Sequence, residues 1–151
     1  MGRHASVSGD HFLDLVGKDD HEVQRQLRTL LEREDAPTAC LAGNDHVALM
    51  LMTNLAAVGV RVPESFSVVG FDNLRFVQHL PVPLTTVDQP ESEMGRRATE
   101  MLLERIDGPS RLECRNEIFT PHLVIRDSCS VASLSRAGMP SKPAREFGPS
   151  L

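Results

Sequence analysis

The hydrophobic positions of this chain change period several times, and each change marks an element. Over 20–34, Val23, Leu27, Leu30 and Leu31 recur at i, i+4, i+7 and i+8, one face of a helix. Asp19 or Asp20 can cap its start, and Asp35-Ala36-Pro37 ends it. Upstream, Phe12-Leu13-Asp14-Leu15-Val16 reads as a short strand. Downstream, Thr38-Ala39-Cys40-Leu41-Ala42 is apolar on both faces, which predicts a buried strand in a parallel sheet covered by helices. Gly43-Asn44-Asp45 then opens a helix over 45–58 that carries two apolar stripes. Val47, Ala48, Leu51, Leu55 and Val58 make one; Leu49, Met50, Met52 and Ala56 make the other. One stripe can pack on the sheet. The second needs a further cover, either a subunit partner or another layer of the chain itself.

Gly59 stands where a glycine closes a helix. Phe66-Ser67-Val68-Val69-Gly70-Phe71 predicts a second buried strand, ending in Asp72-Asn73. Leu84-Thr85-Thr86-Val87 is β-prone. A helix over 91–107 follows, with Pro90, Glu91 and Glu93 suited to its first turn. Its stripe is Met94, Ala98, Met101, Leu102 and Ile106, and Gly108-Pro109 stops it. A last strand region, 112–126, contains Ile118-Phe119 and Leu123-Val124-Ile125. From Ser130 onward Ser, Pro, Gly and Arg dominate, so 130–151 is expected to be a disordered tail. Alternating strands and helices over 1–129 predict one α/β domain with an open, largely parallel sheet flanked by helices.

Composition narrows the function. The formal net charge is −5, and lysine occurs only at 18 and 142. A phosphate backbone needs a clustered basic surface, so direct nucleic-acid binding by this chain is not expected. The three cysteines, Cys40, Cys114 and Cys129, cannot all pair within the chain, and the default expectation is reduced thiols in a cytoplasmic protein. No apolar run reaches membrane-spanning length, and no apolar signal segment follows Met1. There is no phosphate-binding glycine loop, no nucleophile elbow and no histidine spacing that suits a metal, so neither an enzyme nor a cofactor is expected.

Four segments, in order, resemble the C-terminal half of LacI/GalR-family sensor domains, which have a periplasmic-binding-protein-like type I fold. The first is Pro37-Thr38-Ala39 through Ala42-Gly43-Asn44-Asp45. The second runs from Gly59-Val60-Arg61-Val62-Pro63 to Val68-Val69-Gly70-Phe71-Asp72-Asn73. The third is Pro83-Leu84-Thr85-Thr86-Val87 with Gln89-Pro90 and Met94-Gly95, and the fourth is Leu123-Val124-Ile125-Arg126-Asp127-Ser128. Together they cover about residues 37–128.

The resemblance implies a lobe that helps clamp a small effector, often a sugar or a purine, at the carboxyl ends of its strands. It makes Asn44 and Asp72 effector-binding residues, since an amide and a carboxylate can share the donors of a polar ligand. The plainer reading is that Asn44 or Asp45 caps the following helix and Asp72 shapes a turn. For Asp45 the cap is preferred; for Asn44 and Asp72, the ligand. The resemblance also gives Leu49, Met52 and Leu80 a place in a dimer interface, in agreement with the second apolar stripe. Thr86 and Gln89 mark the crossover between lobes.

In that family a helix-turn-helix headpiece, a hinge helix and a first lobe precede these segments. The helix over 91–107 and the strand near 112–119 would complete that first lobe, and without it their apolar residues would lie exposed. The expected function is therefore effector sensing and dimerisation within a LacI-type regulator, in a shortened form that does not bind DNA alone. Expected partners are a small-molecule effector and a second subunit, as a homodimer or a heterodimer with a full-length relative. A fragment of a secreted solute-binding protein of the same fold, or a remnant without function, is the alternative.

Overall fold

In the computed structural model, the described residues are Leu13, Leu15, 17–108 and 115–131. Most of the strand expected over 12–16 lies outside them, as do Cys114 and all but the first two residues of the expected tail. The chain order is α1 (Asp20–Leu31), β1 (Ala39–Leu41), α2 (Asp45–Ala57), β2 (Ser67–Phe71), a single 3-10 turn (Val77–His79), β3 (Thr85–Asp88), α3 (Glu91–Asp107) and β4 (His122–Val124). The four strands form one sheet in the order β1-β2-β3-β4. β1 and β2 run parallel, as do β2 and β3, and β4 joins antiparallel. The α/β class and the largely parallel sheet are as expected.

Local chemistry accounts for the helix ends. Asp19 caps α1 by accepting the Glu22 N–H at 2.8 Å, and the helix stops at Leu31, a few residues before the expected Asp35-Ala36-Pro37. α2 closes on Gly59 at φ 84°, where a side chain would be strained. The Val60 N–H bonds the Leu55 carbonyl and the Gly59 N–H bonds the Ala56 carbonyl, which satisfies two carbonyls the helix end leaves over. Val23, Leu27 and Leu31 of α1 then pack with Ala48, Leu51 and Leu55 of α2, and with Val68, Val77 and Leu84, in one core. Burying a side chain of this size is worth about 1.5–3 kcal/mol, so this layer carries most of the stability.

That core occupies one face of the sheet only. Val68 and Gly70 of β2 and Thr86 of β3 point towards α2 and are buried. The alternate positions point away, and register aligns them: Leu41 beside Val69, and Phe71 beside Val87 beside Leu123. None of these belongs to the core or packs against it. Leu41 is 67% exposed, Leu123 53% and Ile125 77%. This corrects the expectation that β1 and β2 are buried on both faces. Both flanking helices, α1 and α2, sit on the same side; on the other, Thr85 is buried but Val69, Phe71 and Val87 are only half-buried.

The second correction concerns 112–126. Residues 112–114 lie outside the described ones; among the described residues of this region only His122–Val124 is a strand, and 115–121 have no regular structure. They lie along α3, joined by the Arg97–Glu117 ion pair at 2.5 Å and by Arg115–Glu104. No residue of α3 is buried, and Met94, Leu102 and Ile106 are exposed. Ion pairs in water contribute about 0–1 kcal/mol each, so this arrangement is weakly held. In amide exchange on the monomer, 91–107 and 115–119 should exchange far faster than β2, β3 and α2, and added salt should speed them further. Strong protection of α3 in a monomer contradicts that assignment.

Candidate functional site

Three strands end at the same edge of the sheet and each delivers a polar side chain there. Past β1, Asn44 holds extended backbone and its Oδ1 accepts the Val47 N–H at 2.9 Å, capping α2. Asn44 is thus the cap, and the preference for Asp45 in that role is corrected. The carboxamide nitrogen of Asn44 keeps no hydrogen bond to another described residue. Past β2, Asp72 and Asn73 turn through positive φ, 103° and 51°. Non-glycine residues rarely hold such angles, and Asp and Asn tolerate them best. Past β3, Gln89 Nε2 donates to Asp72 Oδ1 at 3.1 Å, so two of the sequence-predicted residues meet.

A second set of contacts, not anticipated, ties the same turn to the closing strand. Asn73 Nδ2 donates to Asp88 Oδ1 at 3.1 Å, and Arg126 Nη2 donates to Asn73 Oδ1 at 2.7 Å. Arg126 also donates to the Leu84 carbonyl at 2.7 Å, and His122 Nε2 lies 3.2 Å from Asp88 Oδ2. Ser128, fully buried, donates to the Val68 carbonyl and accepts the Thr85 N–H at 2.8 Å. The turn holding Asp72 is therefore fixed from β3 and from the segment after β4.

Beneath the turn lies Asp45. Its side chain is fully buried at the first turn of α2, where the positive end of the helix favours a carboxylate. Oδ1 accepts the Thr86 hydroxyl at 2.6 Å and Oδ2 accepts the Leu74 N–H at 2.8 Å. Gly70 makes room for it, since a Cβ there would sit 2.2 Å from Asp45 Oδ1. Thr86, assigned to the lobe crossover, is thus a buried partner of α2 that also receives the Asn73 N–H at 3.4 Å. A glycine inside a strand rich in valine and phenylalanine was the available signal, because such a glycine often marks a close approach.

The remaining predicted residues lie on the outer side of α2. Leu49, Met52 and Leu80 line one open groove of about 570 Å³, with Ala56, Val60, Val62 and Val82. Thr53, Arg61 and Glu64 lie among its lining residues and are exposed. The second stripe of α2 is therefore left partly open, and no further layer of described residues covers it. Cys40 and Cys129 are free thiols, and burial pushes the Cys40 thiol up. Among the described residues no cluster of His, Cys, Asp or Glu could hold a metal, and no helix is long and apolar enough to cross a membrane.

An open, mostly parallel sheet with a polar cluster at its strand ends is the layout of small-ligand domains. Residues 6–129 match the periplasmic binding protein-like domain, and the chain belongs to that family. Within it the chain falls among the sensor domains of LacI-family regulators. It is 39% identical over 106 residues to an HTH-type transcriptional repressor PurR of Vibrio atlanticus, covering 70% of this chain and 31% of that protein. It is 38% identical over 103 residues to an arabinose metabolism transcriptional repressor of Geobacillus stearothermophilus, covering 67% and 28%. Among solved structures, a transcriptional regulator CelR–cellobiose complex superposes with a TM-score of 0.62 at 34% identity, over 72% of this chain and 33% of that one. A LacI family regulator from Enterococcus faecium with bound ribose superposes with a TM-score of 0.62 at 29% identity, over 74% and 40%. The chain spans about a third or less of the length of these curated relatives, 31% and 28%.

The buried carboxylate can be tested on stability alone. Asp45→Ala strands the Leu74 N–H and the Thr86 hydroxyl, and should cost about 1–3 kcal/mol in urea unfolding, seen as a lower midpoint at unchanged slope. Gly70→Ala should destabilise by a similar amount, about 1–3 kcal/mol, through overpacking against Asp45 and Leu84. The double variant should lose clearly less than the two losses added, because removing the carboxylate makes room for the new methyl.

Proposed function

We propose that this chain is the effector-sensing and self-association part of a LacI-type transcription regulator. The observation that carries the reading is the strand-end cluster around Asp72, a carboxylate on left-handed backbone steadied by Gln89 and by the Asn73–Arg126 contact. Strain of this kind persists where surrounding bonds over-determine it, and ligand clamps are such places. Asp72 would accept hydroxyl or ring N–H donors of a small polar molecule, and Asn44 would offer its free carboxamide N–H beside it. Sugars fit these groups, and two solved relatives hold cellobiose and ribose. The first lobe of the cleft would supply the remaining ligand contacts, and a separate headpiece the DNA-binding part. With a formal net charge of −5, this chain itself would not hold DNA, and it would act in the cytoplasm.

The groove of Leu49, Met52 and Leu80 would seat a second subunit, in a homodimer or with a full-length relative. Sedimentation equilibrium tests this directly. The wild type should form a discrete dimer, and Leu49→Arg should be monomeric, because a guanidinium buried there without a partner is strongly unfavourable. A monomeric wild type, or aggregates that Leu49→Arg leaves unchanged, removes the interface.

The effector role has its own measurement. Titration calorimetry with ribose, arabinose, glucose and cellobiose should give saturable binding to at least one sugar, lost in an Asp72→Ala variant that still unfolds cooperatively, at a somewhat lower midpoint because alanine tolerates the positive φ there less well. Binding that survives Asp72→Ala places the ligand elsewhere.

A further inference from the structure

Asp72 and the groove are the two ends of one stretch of chain. From Asp72 the backbone runs through Leu74 and the 3-10 turn Val77–His79 to Leu80, Pro81 and Val82, which form one wall of the groove. α2, carrying Leu49, Met52, Thr53 and Ala56, forms the other wall. The two walls are joined at Asp45, whose Oδ2 receives the Leu74 N–H at 2.8 Å. Through Oδ1 the same carboxylate holds Thr86 at 2.6 Å, and Thr86 in turn receives the Asn73 N–H. Asp45 therefore touches α2, the strand-end turn and β3 at once, from a position closed to water.

We propose that Asp45 is a positioning residue that couples the strand-end turn 72–74 to the subunit groove. The proposal rests on the groove acting as the dimer interface. Leu49 lies one turn along α2 from Asp45, on the same rigid element. A partner that presses on Leu49 and Leu80 loads both walls; near the turn they are joined by the tilted His46–Phe76 ring contact at 5.3 Å and by this carboxylate, which alone of the two hydrogen-bonds the turn backbone, at Leu74. Pulling on the Leu74 N–H moves the residue two places from Asp72. Binding coupling is reciprocal, so a turn that tightens when the dimer forms is a turn whose ligand will tighten the dimer.

The test needs no ligand. Amide exchange of the full chain is followed at protein concentrations below and above the dimerisation midpoint, with sedimentation run in parallel. In the wild type, exchange at 72–76 should slow by at least about fivefold on dimerisation, the low end of measured site-to-site coupling. Asp45→Asn, which can keep one acceptor oxygen, should still dimerise but lose that dependence at 72–76. Should Asp45→Asn not fold, Thr86→Val removes the hydroxyl bond alone and should weaken the dependence without abolishing dimerisation. A merely structural role would speed exchange throughout the domain at both concentrations, leaving the ratio at 72–76 unchanged. The same concentration dependence in Asp45→Asn, or none in a wild type that dimerises, overturns the coupling. A chain that stays monomeric in the sedimentation run overturns the interface reading itself, and with it any coupling to it.

Discussion

A carboxylate closed off from water is the constraint around which this small domain is arranged. Asp45 has no cationic partner among the described residues, and the helix start, the Thr86 hydroxyl and the Leu74 N–H are all aimed at it. Burying such a group without these donors costs several kcal/mol. That requirement sets how α2 meets the sheet, fixes why position 70 has no side chain, and holds the chain after β2 in its tight turn. The polar cluster at the strand ends is then a consequence. Once Leu74 is anchored, Asp72 and Asn73 have little choice but left-handed backbone, and their side chains fall within reach of Gln89, Asp88 and Arg126.

Much of this was legible in the residues. The stripe Val23, Leu27, Leu30 and Leu31, the helix over 91–107 and the glycine after α2 all stand where periodicity and capping place them, because helix periodicity and end chemistry are local. Sheet burial was not legible in the same way. An apolar run such as Thr38–Ala42 says that both faces of a strand are fit for burial, not that both are covered, and coverage depends on distant parts of the chain. The cap was assigned to Asp45 instead of Asn44 for a related reason. Either can cap a helix from its sequence position, and only the tertiary placement of Thr86 and Gly70 decides which one turns inward. Leu49, Met52 and Leu80 were reached by helix geometry for two of them and by resemblance for the third, and they do line one groove.

The open apolar surfaces differ in kind, and the difference bears on what each is for. The groove beside α2 is lined by apolar residues together with the exposed polar residues Thr53, Arg61 and Glu64. Apolar residues beside exposed polar ones are found where separate folded subunits meet. The far face of the sheet is different. Leu41, Val69, Phe71, Val87 and Leu123 are aligned across its four strands as an apolar band. A surface of that kind resembles the inside of a domain cut open, and a parallel sheet is normally covered on both sides. The α3 stripe has the same character: none of its residues is buried, and ion pairs such as Arg97–Glu117 tie the helix to the segment beside it. The matched region amounts to 31% of the Vibrio repressor. On the function proposed above, the outer band and the α3 stripe would meet the rest of a sensor domain, whereas the groove would meet another subunit. Leu49→Arg alters the groove and leaves the band and the α3 stripe as they are, so association through the groove, where it occurs, is told apart from nonspecific adhesion of the exposed sheet.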